Sequence, residues 1–165
     1  MTRYQLFINN EWVDPHSGRW FETEDPFSGE AWAEIPRGDA VDADRAAQAA
    51  YAAFEGPWSR ISASERGMIL HKLGSLIERD AQHLAQIESR DNGKLIGDVL
   101  NQVRYMAKYF YYYAGLADKI QGHVVPMDKP KVFNYVRYEP MGVVVSITPW
   151  NSSLSLTAWK MAPAL

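Results

Sequence analysis

The chain has 165 residues, 47% hydrophobic and 22% charged, with a formal net charge of −3 and no cysteine. That length allows one domain with an adequate apolar core, and that balance argues against disorder. The slight acidity gives no electrostatic footprint for nucleic acid, and the missing cysteines exclude disulfides, thiolate metal sites and a thiol nucleophile within these residues.

The opening segment Met1 to Phe7 lacks the apolar stretch of a secretory signal, and no segment approaches the ~20 apolar residues that cross a bilayer. A cytoplasmic protein with no membrane partner is the expectation. Residues 4–9 and 11–14 read as two strands of a hairpin around Asn9-Asn10. Two more strands are expected at 20–23 and 31–35, separated by the turn-rich run Asp25-Pro26-Phe27-Ser28-Gly29-Glu30.

Asp39 suits an N-cap, and Ala46, Ala49, Ala50, Ala53 and Phe54 recur on one face of the helix behind it, which Gly56-Pro57 ends. Asp39, Asp42 and Asp44 crowd that helix start, where the dipole favours them, so they need no catalytic role. Ser62 and Glu65 form a capping box ahead of a stripe of Ile69, Leu73, Leu76 and Ile77. A third helix carries Leu84 and Ile87 and closes at Asp91-Asn92-Gly93.

From Leu95 to about Asp118, Val99, Val103, Met106, Ala107, Phe110, Ala114 and Ala117 line one side of a long helix. Tyr109, Tyr111, Tyr112 and Tyr113 crowd its second half, and helical spacing favours packing over binding for them. After Gly122, the pairs Val124-Val125, Val132-Phe133 and Tyr135-Val136 alternate with polar residues, as in exposed antiparallel strands. Val143, Val144, Val145 and Ile147 then read as a parallel strand covered on both faces, and such a strand demands neighbours this chain does not obviously contain.

Ligands of parallel sheets sit beyond the carboxyl ends of the strands, and there the chain places Thr148-Pro149-Trp150-Asn151 before a last helix. Asn151 has two readings: an N-cap, which spacing alone favours, or an amide donor to a developing oxyanion, worth ~3 kcal/mol of barrier. Ser152 and Ser153 could cap equally well. Lys160 falls between Trp159 and Met161, an apolar setting open to proton transfer, ion pairing or simple surface exposure. Gly93-Lys94 is only a dipeptide, no glycine-rich phosphate loop is present, and His16, His71, His83 and His123 show no metal-ligand spacing.

Taken in order, these residues resemble the NAD(P)-dependent aldehyde dehydrogenases. The resemblance spans nearly the whole chain. It runs through Leu6-Phe7-Ile8-Asn9-Asn10-Glu11-Trp12, Leu76-Ile77-Glu78-Arg79-Asp80, Asp91-Asn92-Gly93-Lys94 and Tyr112-Tyr113-Ala114-Gly115. It continues through Glu139-Pro140-Met141-Gly142-Val143, Ile147-Thr148-Pro149-Trp150-Asn151 and the closing Trp159-Lys160-Met161-Ala162-Pro163-Ala164-Leu165.

The resemblance implies an α/β fold, the amino-terminal part of the aldehyde dehydrogenase fold. Residues 1–125 would begin the cofactor-binding domain, 126–141 would belong to an oligomerisation ribbon, and 142–165 would supply the first strand and helix of a Rossmann-like parallel sheet. Ile147, Thr148, Pro149 and Trp150 would line the nicotinamide side of an NAD or NADP site. By the same resemblance Asn151 would be the oxyanion-hole asparagine, Lys160 a proton-relay lysine and Trp159 a wall of the aldehyde tunnel.

The family's thiol, its glutamate base, its ribose-binding residues and its phosphate turn would all lie beyond residue 165. The expectation is therefore a catalytically incomplete portion of a homo-oligomeric enzyme, dimer or tetramer, that oxidises a small aldehyde. The chain departs from the family at Ser152 and Ser153, where an aromatic residue and proline are common, which implies a wider or more polar aldehyde site. The alternative from another class is a short noncatalytic protein that pairs through its ribbon and open sheet edge.

Overall fold

A computed structural model describes residues 1–165. The strands are β1 (Thr2–Arg3), β2 (Leu6–Ile8), β3 (Glu11–Val13), β4 (Trp20–Glu24) and β5 (Ala31–Pro36). β2 and β3 pair antiparallel, Phe7 opposite Trp12, across a turn in which Asn9 and Asn10 have φ of 53° and 64°. A two-residue hairpin turn of this hand needs positive φ at both central positions, and asparagine tolerates it better than any other residue with a side chain. β1, β5 and β4 form a second sheet in that order, β1 parallel to β5 and β4 antiparallel to it.

The helices follow as α1 (Ala40–Glu55), α2 (Pro57–Arg60), α3 (Ala63–Arg79), α4 (Ala81–Asn92) and α5 (Ile96–Leu116). Their starts and stops are local chemistry. Asp39 accepts from the Val41 and Asp42 backbone N–H groups while Asp42 answers at the Asp39 N–H, a complete capping box. Ser62 and Glu65 do the same for α3. Gly93 closes α4 at φ 76°, the left-handed conformation a helix C-cap requires. Asp42 is buried, and its two oxygens also accept the His16 N–H at 3.0 and 3.1 Å, so one side chain fastens the β-hairpin region to α1.

α5 is the axis of the core. Leu70 of α3, Ala81 and Ala85 of α4, and Val99, Val103, Met106 and Phe110 of α5 form one buried cluster, joined by Ala158 and Ala162 from the last helix. Full burial of such Leu, Val or Phe side chains stabilises by ~1.5–3 kcal/mol each. Tyr109 and Tyr113 pack at the edge of this core as expected and the Tyr111 hydroxyl donates to Glu78 at 2.9 Å, whereas Tyr112 is 63% exposed and meets the Tyr113 ring edge-on at 5.2 Å.

Three expectations are corrected. The buried face of α3 is Gly67, Leu70 and Gly74 with Leu73 and Ile77 partly covered, whereas Ile69 and Leu76 are exposed. Glycines make the face because α5 approaches so closely that a Cβ on Gly67 would lie 2.6 Å from the Ala114 carbonyl oxygen. In the ribbon, β6 (His123–Val125) pairs with β7 (Asn134–Val136), and Val132-Phe133 precedes the pairing. Residues 143–147 pair with no strand, and Val145 and Ile147 are 85% and 81% exposed, because this chain offers them no parallel neighbour.

Candidate functional site

Residues 143–149 run up to a 3₁₀ turn, Trp150–Ser152, which opens into α6 (Ser153–Ala164). Pro149 sets the entry with φ −77° and ψ 161°, the extended conformation typical of an N-cap. Asn151 sits inside the turn. Its side chain caps neither the turn, whose N-cap is Pro149, nor α6, whose N-cap is Ser152, and neither cap makes a side-chain hydrogen bond. The N-cap reading of Asn151 is thereby corrected, and Ser152 holds the N-cap position of α6 without a side-chain cap bond: the 3₁₀ turn absorbs the helix start, so the amide of Asn151 is left exposed.

Between α5 and α6 lies an open concavity of about 600 Å³, to which Asn151 contributes. Its polar lining comes from Asn101, Gln102 and Tyr105 of α5 and from Ser152 and Ser155, and its apolar lining from Met106, Leu156 and Trp159. Trp159 is half exposed and stacks on Tyr109 with ring centroids 5.6 Å apart, so the core holds one face of the indole. Of the residues singled out in the sequence, Asn151 and Trp159 meet here. Ile147, Thr148, Pro149 and Trp150 lie outside the concavity on the extended approach, with Trp150 84% exposed. Lys160 is exposed within this chain, which favours its surface reading over an apolar setting.

The turn is held from below by a polar cluster that sequence reasoning missed. Lys94, half-buried just past the end of α4, donates to Ser152 Oγ and, at 3.3 Å, to Gln102 Oε1. Asn92 orders the approach to it, its Oδ1 accepting the Lys94 N–H at 3.0 Å. Nothing local in the sequence marks Lys94, since Ser152 is 58 positions away. The i, i+4 pair Asn101 and Tyr105 on a helix otherwise reading as core was the one available signal.

Glu88 lies in the same cluster, 4% exposed, with Oε2 unpaired. Burial pushes its carboxyl above the ordinary value of 4.5, and Asp91 adds to the rise, while the Lys94 ammonium, Asn92 and the Leu154 backbone N–H oppose it. A carboxyl raised in the folded state contributes stability below its unfolded value, and that contribution is lost as pH rises through the folded value. Glu88→Gln should remove the loss. Its melting temperature relative to wild type should therefore rise as the pH is raised above about 4.5; a difference that stays unchanged as the pH rises would contradict this assignment.

Comparisons with known proteins follow the same geometry. The aldehyde dehydrogenase family model matches residues 12–165. A (Z)-2-((N-methylformamido)methylene)-5-hydroxybutyrolactone dehydrogenase from Acinetobacter baylyi is 44% identical over 100% of this chain and 34% of its own length. The mitochondrial aldehyde dehydrogenase of Homo sapiens is 46% identical over 98% of this chain and 32% of its own. A solved betaine aldehyde dehydrogenase from Staphylococcus aureus, in complex with NAD+, superposes with a TM-score of 0.92 at 34% identity, covering 97% of this chain and 32% of that one. The chain thus spans about a third of the length of the curated relatives it matches. With 154 of its residues inside the family match, 12 through 165, and the fold shared at that closeness, this chain belongs to the aldehyde dehydrogenase family.

Proposed function

We propose that residues 1–165 form the amino-terminal third of an enzyme that oxidises an aldehyde to a carboxylic acid with NAD or NADP. The observation that carries this reading is the convergence of the Asn151 amide and the Trp159 indole on one concavity, directly after an extended, exposed segment. That segment fits a dinucleotide: its apolar side chains and unpaired backbone would pack against a flat ring and meet a carboxamide. Ile147, Thr148, Pro149 and Trp150 would hold it from the nicotinamide side. Bound there, the cofactor supplies a hydride acceptor.

The chain's own residues do the rest of the work assigned to this third. The Asn151 NH₂ donates to the aldehyde oxygen as it gains charge, a bond that strengthens only toward the transition state. Trp159 and Leu156 give the carbon chain an apolar wall and exclude water from it. Lys160, in the complete enzyme, carries a proton at its Nζ. These residues include no cysteine, so the attacking thiolate of the reaction would come from outside 1–165.

The same proposal covers the division of the chain. Residues 1–125 and 142–165 belong to a cofactor-binding domain, and 126–141 to a ribbon through which complete subunits assemble as dimers or tetramers. Exposed Phe133 and Tyr135 on and beside β7 support that role, and the pairing of β7 with β6 extends the ribbon back to His123. No helix is long and apolar enough to cross a membrane. Cytoplasmic residence is part of the proposal, set against the mitochondrial name of the human relative.

The complete polypeptide should form NAD(P)H from NAD or NADP only when an aldehyde is present. A polypeptide that folds and assembles through the ribbon yet reduces neither cofactor with any aldehyde returns the noncatalytic interaction reading instead.

A further inference from the structure

The concavity is built from two chemistries that meet along its length. Met106, Leu156 and Trp159 offer an apolar surface for a carbon chain, while Asn101, Gln102, Tyr105, Ser152 and Ser155 crowd the remainder with hydroxyls and amides. Lys94 decides what those groups can present. An ammonium has three donors and no acceptor, so Gln102 turns its carbonyl oxygen to Lys94 and its NH₂ away, and Ser152 spends a lone pair on Lys94 and keeps its O–H. Gln102 and Ser152 thus each keep a donor that Lys94 does not occupy.

We infer that the donor wall formed by Gln102 and Ser152, held in place by Lys94, selects aldehydes that carry an oxygen acceptor on the chain, a hydroxyl or a carboxylate, over unsubstituted alkanals of the same length. This rests on the aldehyde-oxidising reading above and deepens it. An alkanal entering the concavity strips water from these donors and gives nothing back, whereas an oxygen-bearing chain replaces the water it displaces. Sites that hydrogen-bond a substrate oxygen discriminate against the analogue lacking it more strongly than apolar pockets discriminate by size. Lys94 is a positioning residue in this scheme. It meets the lining side chains and not the substrate.

The test compares kcat/KM of the complete enzyme for hexanal, 6-hydroxyhexanal and 6-oxohexanoate. The expected result is a preference of about tenfold or more for one of the oxygen-bearing chains. The hydroxyl compound leads if the wall reads neutral acceptors, and the carboxylate leads if the Lys94 charge is felt through it. Ser152→Phe should move the ratio toward hexanal by about the same factor, and Lys94→Met should lower it chiefly by raising KM for the oxygen-bearing aldehyde. Both substrates are read on the same sample, so a loss of folded protein cancels in the ratio.

A wild-type enzyme that oxidises hexanal as well as or better than both partners overturns the inference and leaves the dehydrogenase reading standing. An enzyme that oxidises none of the three, nor any other aldehyde, overturns both.

Discussion

Asn151→Ala in the complete enzyme should lower kcat by about 10²–10³-fold with little change in the KM for aldehyde. The size follows from timing: the amide bond to oxygen matters little while the substrate is a neutral carbonyl and strengthens as the oxygen takes on charge. Stability should hardly move. Asn151 is exposed and caps neither the 3₁₀ turn nor α6, so its truncation should stay within about 0.5 kcal/mol on unfolding. A helix-capping asparagine gives the opposite pattern, about 1 kcal/mol of stability lost and turnover unchanged. Steady-state kinetics and a denaturant titration on the same variant separate the two.

Gly67→Ala should destabilise the protein by about 1–3 kcal/mol, although the same change in an exposed helix interior gains up to about 1 kcal/mol. The sign reverses because of what the added methyl meets. Its Cβ would sit 2.6 Å from the Ala114 carbonyl oxygen of α5, a backbone atom that cannot rotate aside, so α3 and α5 must move apart. Gly74 gives a graded control. Its Cβ would meet the Tyr111 ring at 2.8 Å and the Ala107 carbonyl oxygen at 3.1 Å, and a side chain yields more readily than backbone. Urea unfolding of both variants checks the order, with Gly67→Ala the less stable; equal stability of Gly67→Ala and wild type would show that the helices are not in close contact.

These glycines also mark where reading the sequence reached its limit. Asp39, Ser62 and Gly93 announce helix ends because capping is a dialogue between near neighbours, and the structure places α1, α3 and the end of α4 accordingly. Val99, Val103, Met106, Ala107 and Phe110 likewise name the buried face of α5. On α3 the apolar stripe found Leu73 and Ile77 but also pointed to the exposed Ile69 and Leu76, while Gly67 and Gly74, with no side chain to score, share the buried face with Leu70. β1 is two residues long and carries no pattern, and α2 begins at Pro57, a residue that ends one helix and starts the next.

The site was legible in half. Asn151 and Trp159 stand out by position, one after a strand-like run and one on the first face of the following helix, and they do meet. Lys94 and Gln102 could not be found this way, since their significance is created by the fold that brings α4, α5 and the 3₁₀ turn together. Val143 to Ile147 has the composition of a buried parallel strand and lies exposed here, since burial belongs to a sheet and not to a segment.

On the proposed function, the approach to α6 and the turn carrying Asn151 would form the cofactor and substrate wall of an aldehyde dehydrogenase. Backbone hydrogen–deuterium exchange across residues 143–156 of the complete enzyme, with and without NAD or NADP, tests it most directly. Added cofactor should slow exchange at 147–152 more than in α1 or α3, and one of the two dinucleotides should do so at lower concentration. Exchange there that ignores both dinucleotides, in an enzyme that nonetheless reduces one of them, would place the cofactor elsewhere and contradict the account.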